Sequence, residues 1–407
     1  MVSQLTFLGT WGAGMAFLSG SVGFERFKVT GAEFKHFQQE HIDALQRFAA
    51  SSNQSPSADA ANVGFIAGEH LFDDHFDIDK NVIDNALHCA IRVDTNQVPS
   101  AIRRAWLQME LIALSKDNTS GRPTKVQRQE AKESVEQRCE DEARTGKYHK
   151  MQEFPVLWDA QQQLLYIGSS SSSAVSHCAD LFSRAFEIEL SRMSAGTLVT
   201  QWAELSQKNS ELDDLVPAAF LPQHGQADSV WLNEFAESYD YLGNEFMLWL
   251  WWHLETQSDT IALSDKSEVT AMFARTLSLE CPLGETGKET IAYESPVKLP
   301  EAHQAIQAGK LPRKAGLTLV RHNQQFDITL QAETFAISGA KIQADEADDA
   351  AEMRVNRIDA IRNLGETVDL LFYAFCDRRV SKKWSSDLDQ LSRWLQPEKA
   401  HSKKPAA

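Results

Sequence analysis

Between Leu242 and Leu254 the chain reads Leu-Gly-Asn-Glu-Phe-Met-Leu-Trp-Leu-Trp-Trp-His-Leu, apolar nearly all the way round a helix. A helix without a polar face has to be buried on most of its sides. The segment 229–257 therefore predicts a core or subunit-interface helix, with a base-stacking platform as the other use of so many rings. A second constraint comes from residues 125–144, Lys-Val-Gln-Arg-Gln-Glu-Ala-Lys-Glu-Ser-Val-Glu-Gln-Arg-Cys-Glu-Asp-Glu-Ala-Arg, which hold no Gly and no Pro. Helix formers dominate there, and they predict a long surface helix.

At 407 residues the chain exceeds one compact core, so two or three domains are expected. It has no apolar run of about 18 residues, which predicts no membrane span. No Lys or Arg precedes Arg26, so the apolar N-terminus lacks the positive flank of a secretory signal. The cysteines Cys89, Cys139, Cys178, Cys281 and Cys376 are odd in number and show no CxxC spacing. That pattern predicts reduced thiols and a cytoplasmic protein.

Alternation of apolar and polar residues predicts a strand over 20–29, and short apolar runs predict others at 63–66, 86–93, 154–159 and 164–168. Residues 317–320 and 326–330 flank His322-Asn-Gln-Gln325 and read as a hairpin, with a further strand at 335–337. Helices are expected at 31–50, 102–114 (with Pro99 in the first turn), 125–144, 174–186 and 353–376. The expected fold class is α+β, antiparallel sheets flanked by helices, in a multi-lobed subunit. The expected divisions are an extension at 1–14, an N-terminal region at 15–200, an acidic Trp-rich lobe at 201–297, a hairpin plus helix at 298–376, and a basic, partly disordered tail at 377–407.

The net charge of −17 is unevenly spread. Residues 201–297 carry 4 Lys and Arg against 17 Asp and Glu, whereas 101–150 carry 11 against 8 and 298–325 carry 5 against 1. A chain this acidic meets a polyanion only through segregated basic surface, and such binding is salt-sensitive. Lys125, Arg128 and Lys132 follow i, i+3, i+7 spacing and share a helix face. They read either as phosphate contacts or as a solvated surface interleaved with Glu130, Glu133 and Glu136. Lys147 and Lys150 flank Tyr148 in a loop, and Lys310, Arg313 and Lys314 sit beside the hairpin. Both groups carry the same two readings.

Catalytic motifs are missing from the chain. Asp73-Asp74-His75-Phe76-Asp77-Ile78-Asp79 has clustered carboxylates, but Val82 and His88 stand where a calcium loop needs Gly and Glu. Gly284-Glu-Thr-Gly287-Lys288 is two residues too short for a phosphate loop, and Glu289 replaces its hydroxyl residue. There is no HExxH, no GxSxG, and no histidine at metal-ligand spacing from a cysteine. The expectation is no catalytic residue, no metal and no cofactor.

The order of the pieces carries a resemblance. Phe24-Glu-Arg-Phe27-Lys-Val29 ends a first strand, followed by Gly64-Phe65-Ile66, the strand to Val93-Asp94, Val98-Pro99 and its helix, the charged helix 125–144, Trp158-Asp159 and Tyr166, the helix 174–186, and Ile306-Gln-Ala-Gly309-Lys310 before a hairpin. This resembles the RdgC recombination-associated protein family over residues 15–200 and 298–376. The resemblance implies a non-enzymatic, nucleoid-associated protein that binds double-stranded DNA without sequence preference. It also implies a ring-forming homodimer that encircles duplex and restrains strand exchange by a recombinase, a further partner. Lys125, Arg128, Lys132, Lys147, Lys150, Lys310, Arg313 and Lys314 are then its phosphate contacts. Residues 229–280 depart from the family as an insertion, and Lys288–Lys298 lacks the paired lysines expected of a basic tip. Two other functions compete: an acidic protein–protein interaction module from a mobile element, and a metal-dependent nuclease built on the 73–79 loop.

Overall fold

The computed structural model describes residues 17–31, 35–52, 61–116, 118, 121–169, 171–220, 238–281, 287–343 and 349–396. The expected extension at 1–14, parts of the 51–62 loop and the 229–257 helix, and the last residues of the tail lie outside these. The fold is mixed α+β with antiparallel strands flanked by helices. It forms two compact units, one from the described residues of Gly31–Gln162 and Ser171–Glu189, the other from those of Ala16–Thr30, Gln163–Ser170 and Leu190–Ala407.

Strand β1 (Ser21–Thr30) opens the second unit, and the chain then enters the first. Helix α1 (Gln39–Arg47) is shorter than the expected 31–50, and just past its C-terminal end Ala49 bridges Phe65. Strands β2 (Asn62–Ile66), β3 (Val82–Ile83), β4 (Ala86–Thr95) and β5 (Lys150–Asp159) build the sheet, with β4 central and paired to each of the others. Helix α2 (Ile78–Asn81) precedes β3, and α3 (Ser100–Ser115) and α4 (Lys125–Arg144) lie between β4 and β5. Helix α5 (Ser172–Phe186) covers the sheet. Its Phe182 and Phe186 meet Phe65 and Trp158 edge-on, with centroids 4.9–6.0 Å apart. Each such ring removed from water contributes about 1.5–3 kcal/mol.

The second unit adds β6 (Leu164–Ile167), β7 (Glu189–Arg192), α6 (Ala195–Ser206), α7 (Asn209–Asp213), α8 (Leu242–Thr256), β8 (Thr260–Ala262), β9 (Glu268–Glu280), β10 (Lys288–Tyr293), α9 (Pro300–Gln307), β11 (Leu311–Arg321), β12 (Gln324–Gln331), β13 (Ile337–Ile342), α10 (Ala350–Arg379) and α11 (Trp384–Trp394). Its sheet runs β10-β9-β11-β12-β13-β1-β6. Helix α8 buries Leu242 through Trp252 without a break, as its all-round apolar sequence requires. Phe246 and Trp249 pack on Phe372 and Phe375 of α10, all at centroid distances of 5.5–5.8 Å. At Gly243 the helix passes so close to the chain after β12 that a Cβ would sit 1.8 Å from the Ala332 carbonyl oxygen.

The expected domain divisions require correction. Residues 201–297 are not a lobe inserted into the fold, because β9 and β10 continue the sheet beyond β11. β9 is amphipathic with period two: Val269, Ala271 and Phe273 point inward, and Leu277 and Leu279 resume after a bulge at Arg275. Gly316 of β11 faces that bulge, where a Cβ would lie 1.9 Å from the Ala274 carbonyl oxygen. The described part of the basic tail, 377–396, is folded. Trp384 and Leu391 of α11 are buried, and Arg378 holds Asp387 through both guanidinium arms.

Candidate nucleic-acid interface

The local sequence sets the limits of α4. Thr124 accepts from the Gln127 N–H at 3.3 Å while Gln127 accepts from the Thr124 N–H at 2.9 Å, a reciprocal cap. Twenty residues follow with no breaker, until Gly146 at φ +73° receives the chain. The helix lies against α3 through polar and stacking contacts. Arg103 pairs with Glu136 at 2.7 Å, Ser134 donates to Glu110 at 2.7 Å, and the Arg138 guanidinium lies 4.1 Å from the Trp106 ring centre.

Lys125, Arg128 and Lys132 are exposed on this helix and form no ion pair among the described residues. Several nearby carboxylates are engaged elsewhere. Glu136 holds Arg103, Glu140 and Asp141 face Arg144 at 3.8 and 3.1 Å, and Glu142 holds Lys147 at 3.1 Å. The Glu142 carboxylate raises the Lys147 pKa and uses its charge locally. Lys150, at the start of β5, is exposed and unpaired among the described residues. The row from Lys125 to Lys132 spans about 10 Å of helix axis, over which duplex DNA carries about six phosphate charges.

The second basic group is placed differently, and here the sequence expectation is corrected. Lys310 is buried and donates to Glu289 at 2.8 Å. Arg313 holds Glu333 at 2.5 Å and Glu280 at 3.5 Å. Neither has a charge left for a phosphate. Lys314 is half-buried on β11, opposite Gln331. Burial raises the Glu333 pKa, and Arg313 opposes that rise while Asn244 donates to the same carboxylate at 2.8 Å.

Pairs of this kind also draw on the acidic segment. Glu289 and Glu280 meet Lys310 and Arg313, Asp265 meets Arg321 at 2.5 Å, and Glu245 meets Arg379 at 2.7 Å. These four of the segment's 17 carboxylates are matched by cations later in the chain, within one folded unit.

The 73–79 loop is likewise satisfied from within. Asp73 is buried, accepts from Lys80 at 2.7 Å and from the Glu69 N–H at 3.0 Å, and Asp77 caps α2. Burial alone would raise the Asp73 pKa, and these donors lower it below its ordinary value. Among the described residues no three His, Cys, Asp or Glu side chains gather as a metal-holding group. All five cysteines are free thiols. A polar cavity of about 540 Å³ in the first unit is lined by Asn62, His177, Asp180, Ser183 and Arg184. Among the described residues no side-chain hydrogen bond links its His, Asp and Ser as a nucleophile needs. No described helix is long and apolar enough to cross a membrane.

Comparison of the chain with protein-family models and with curated proteins finds no match in either.

Proposed function

We propose that this chain is a sequence-nonspecific double-stranded DNA-binding protein that modulates homologous recombination without catalysing a reaction, and that it acts as a homodimer in the cytoplasm, on the nucleoid. One observation carries the reading: α4 presents Lys125, Arg128 and Lys132 as an exposed row with no ion-pair partner among the described residues, on a chain of net charge −17. A protein this acidic gains nothing in solubility from three more free cations, whereas a phosphate backbone gives them a partner. The contacts proposed are Lys125, Arg128, Lys132 and Lys150, with Lys147 at their margin, Lys314 as a separate contact on the second unit, and no base-specific readout. The resemblance to the RdgC family supplies the recombination context and the encircling dimer.

The test is binding to a labelled random-sequence duplex, as linear and as closed circular DNA, across a salt series. The reading expects affinity that falls steeply with salt and complexes that survive a salt challenge only on the circle. Absence of binding at low salt overturns it.

A further inference from the structure

Helix α6 buries Leu198, Val199, Trp202 and Ala203 and turns Thr197, Gln201 and Glu204 the other way, in steps of four and three residues. Beside that polar face the second unit has a cavity of about 410 Å³, walled by Gln201 and Glu204 and by Lys28 of β1, Met193 just past β7, and Tyr239. Its size is that of a small-molecule site. Lys28 is the one cation and Glu204 the one carboxylate among the described lining residues. Both are exposed, and neither has an ion-pair partner among the described residues. The N–H groups in the first turn of α6 are already used. Ala195 donates to the Glu333 carbonyl at 2.9 Å, Gly196 to the Asp240 carboxylate at 2.8 Å and Thr197 to the Ser194 hydroxyl at 3.3 Å. An occupant is therefore held by side chains and not by the helix end. Tyr239 stands at φ +58°, in the left-handed region that an aromatic residue enters at a cost. The chain there lies directly on α6, since a Cβ on Gly196 would fall 1.6 Å from the Ser238 carbonyl oxygen. Strain of this kind gathers at ligand clamps.

We infer that this cavity binds a nucleoside 5′-phosphate, with Lys28 on the phosphate, Glu204 on the sugar hydroxyls and the Tyr239 ring against the base. The single lysine asks for one anionic group, and a carboxylate in the same cavity accepts hydroxyl protons, as acidic residues do from ribose. The half-buried tyrosine ring offers a flat face on which any base stacks. Met193, 5% exposed, adds apolar surface to the lining. Gln201 carries both donors and an acceptor, so it can meet the edge of a purine or a pyrimidine alike. Other small anions fit less well. An amino acid leaves the ring uncovered, a sugar phosphate brings no flat face to it, and a dicarboxylate is repelled by Glu204. The same chemistry occurs in free nucleotides and at the 5′-phosphorylated end of a nucleic-acid strand.

The test is calorimetric titration of the full chain with adenosine 5′-monophosphate, ribose 5-phosphate, adenosine and a 5′-phosphorylated trinucleotide. Duplex DNA enters none of these titrations, so this inference and the DNA-binding reading fail separately. The mononucleotide is expected to bind with Kd of roughly 10–1000 µM, and each of its two halves at least about tenfold more weakly. Tyr239→Asn keeps a residue that tolerates the left-handed backbone and removes the ring. It is expected to weaken the mononucleotide about fivefold or more and to leave ribose 5-phosphate unchanged. Lys28→Ala should weaken both phosphates and leave adenosine unchanged. Thermal midpoints without ligand verify that both variants fold. A trinucleotide as tight as the mononucleotide assigns the cavity to strand ends, and a much weaker one assigns it to free nucleotides. No mononucleotide binding up to about 5 mM overturns the inference. So does a ribose 5-phosphate that binds equally well, or a pair of folded variants that bind like wild type.

Discussion

Arg26 on β1 and Asp369 on α10, 343 positions apart in the chain, form a two-armed ion pair with N–O distances of 2.5 and 2.8 Å. Arg26 is 2% exposed and lies beside Gly365, where a Cβ would come 3.2 Å from its guanidinium. Burial works against the Arg26 charge, and Asp369 outweighs it and raises the pKa. Asp369→Ala would strand that charge and is expected to destabilise the second unit by about 3 kcal/mol. Arg26→Met with Asp369→Leu should recover most of the loss. Denaturant melts of these two variants beside wild type measure both effects, and an Asp369→Ala variant within about 1 kcal/mol of wild type (about fivefold in the equilibrium) would contradict the assignment.

The α4 row makes a prediction about salt. Lys125→Glu, Arg128→Glu and Lys132→Glu together are expected to abolish duplex binding at moderate salt. Single charge removals should each lower the slope of log K against log salt by about 0.9. Stability should change by less than about 0.5 kcal/mol per site, because the side chains are exposed and unpaired. Equal affinity and slope for the triple variant would sink the row as an interface.

Arg313 predicts the opposite pattern. Its removal leaves Glu333, which is 1% exposed, without its cation. Arg313→Ala is expected to cost about 3 kcal/mol, while DNA affinity of the folded fraction stays as in wild type. Loss of affinity without loss of stability would return Arg313 to the DNA-contact set.

Asp265 gives a pH dependence. Burial would raise its pKa, but the Ser267 hydroxyl and N–H and then Arg321 outweigh this and bring the carboxyl to about 2. An unfolded aspartate titrates near about 3.9. The folded value is the lower one, so the contribution is complete above about pH 4 and disappears as pH falls through about 2. The carboxylate is a third exposed, so screening leaves about 1 kcal/mol. Asp265→Asn should lie that far below wild type at neutral pH and converge with it near the folded pKa. A gap unchanged across that range would remove Asp265 as its source.

Local patterns carried much of the fold. Thr124 and Gln127 mark where α4 begins, and the run from Ala86 to Val93 is apolar enough to require a central strand. The all-round apolar character of Leu242–Trp252 correctly required burial. The segment after it was misjudged because its acidity outweighed a period-two signal already visible in Val269, Ala271 and Phe273. The basic residues divided along a line that no local pattern draws. Lys125, Arg128 and Lys132 keep to one helix face whatever surrounds them. Lys310 finds Glu289 and Arg313 finds Glu333 only once the second sheet has assembled.

The order of strands in that second sheet sets a timetable for synthesis. β1 pairs with β6 on one side and with β13 on the other, yet most of the first unit is translated between β1 and β6. From Phe24 to its partner Ile337 a ribosome working at about 5–20 residues per second needs roughly 15–60 s. During that interval the first unit can already have folded and β6 can have paired with β1, while Val22 and Phe24 wait on the edge of β1 that β13 will close. A nascent chain of this kind needs shielding of that strand until its last partner emerges.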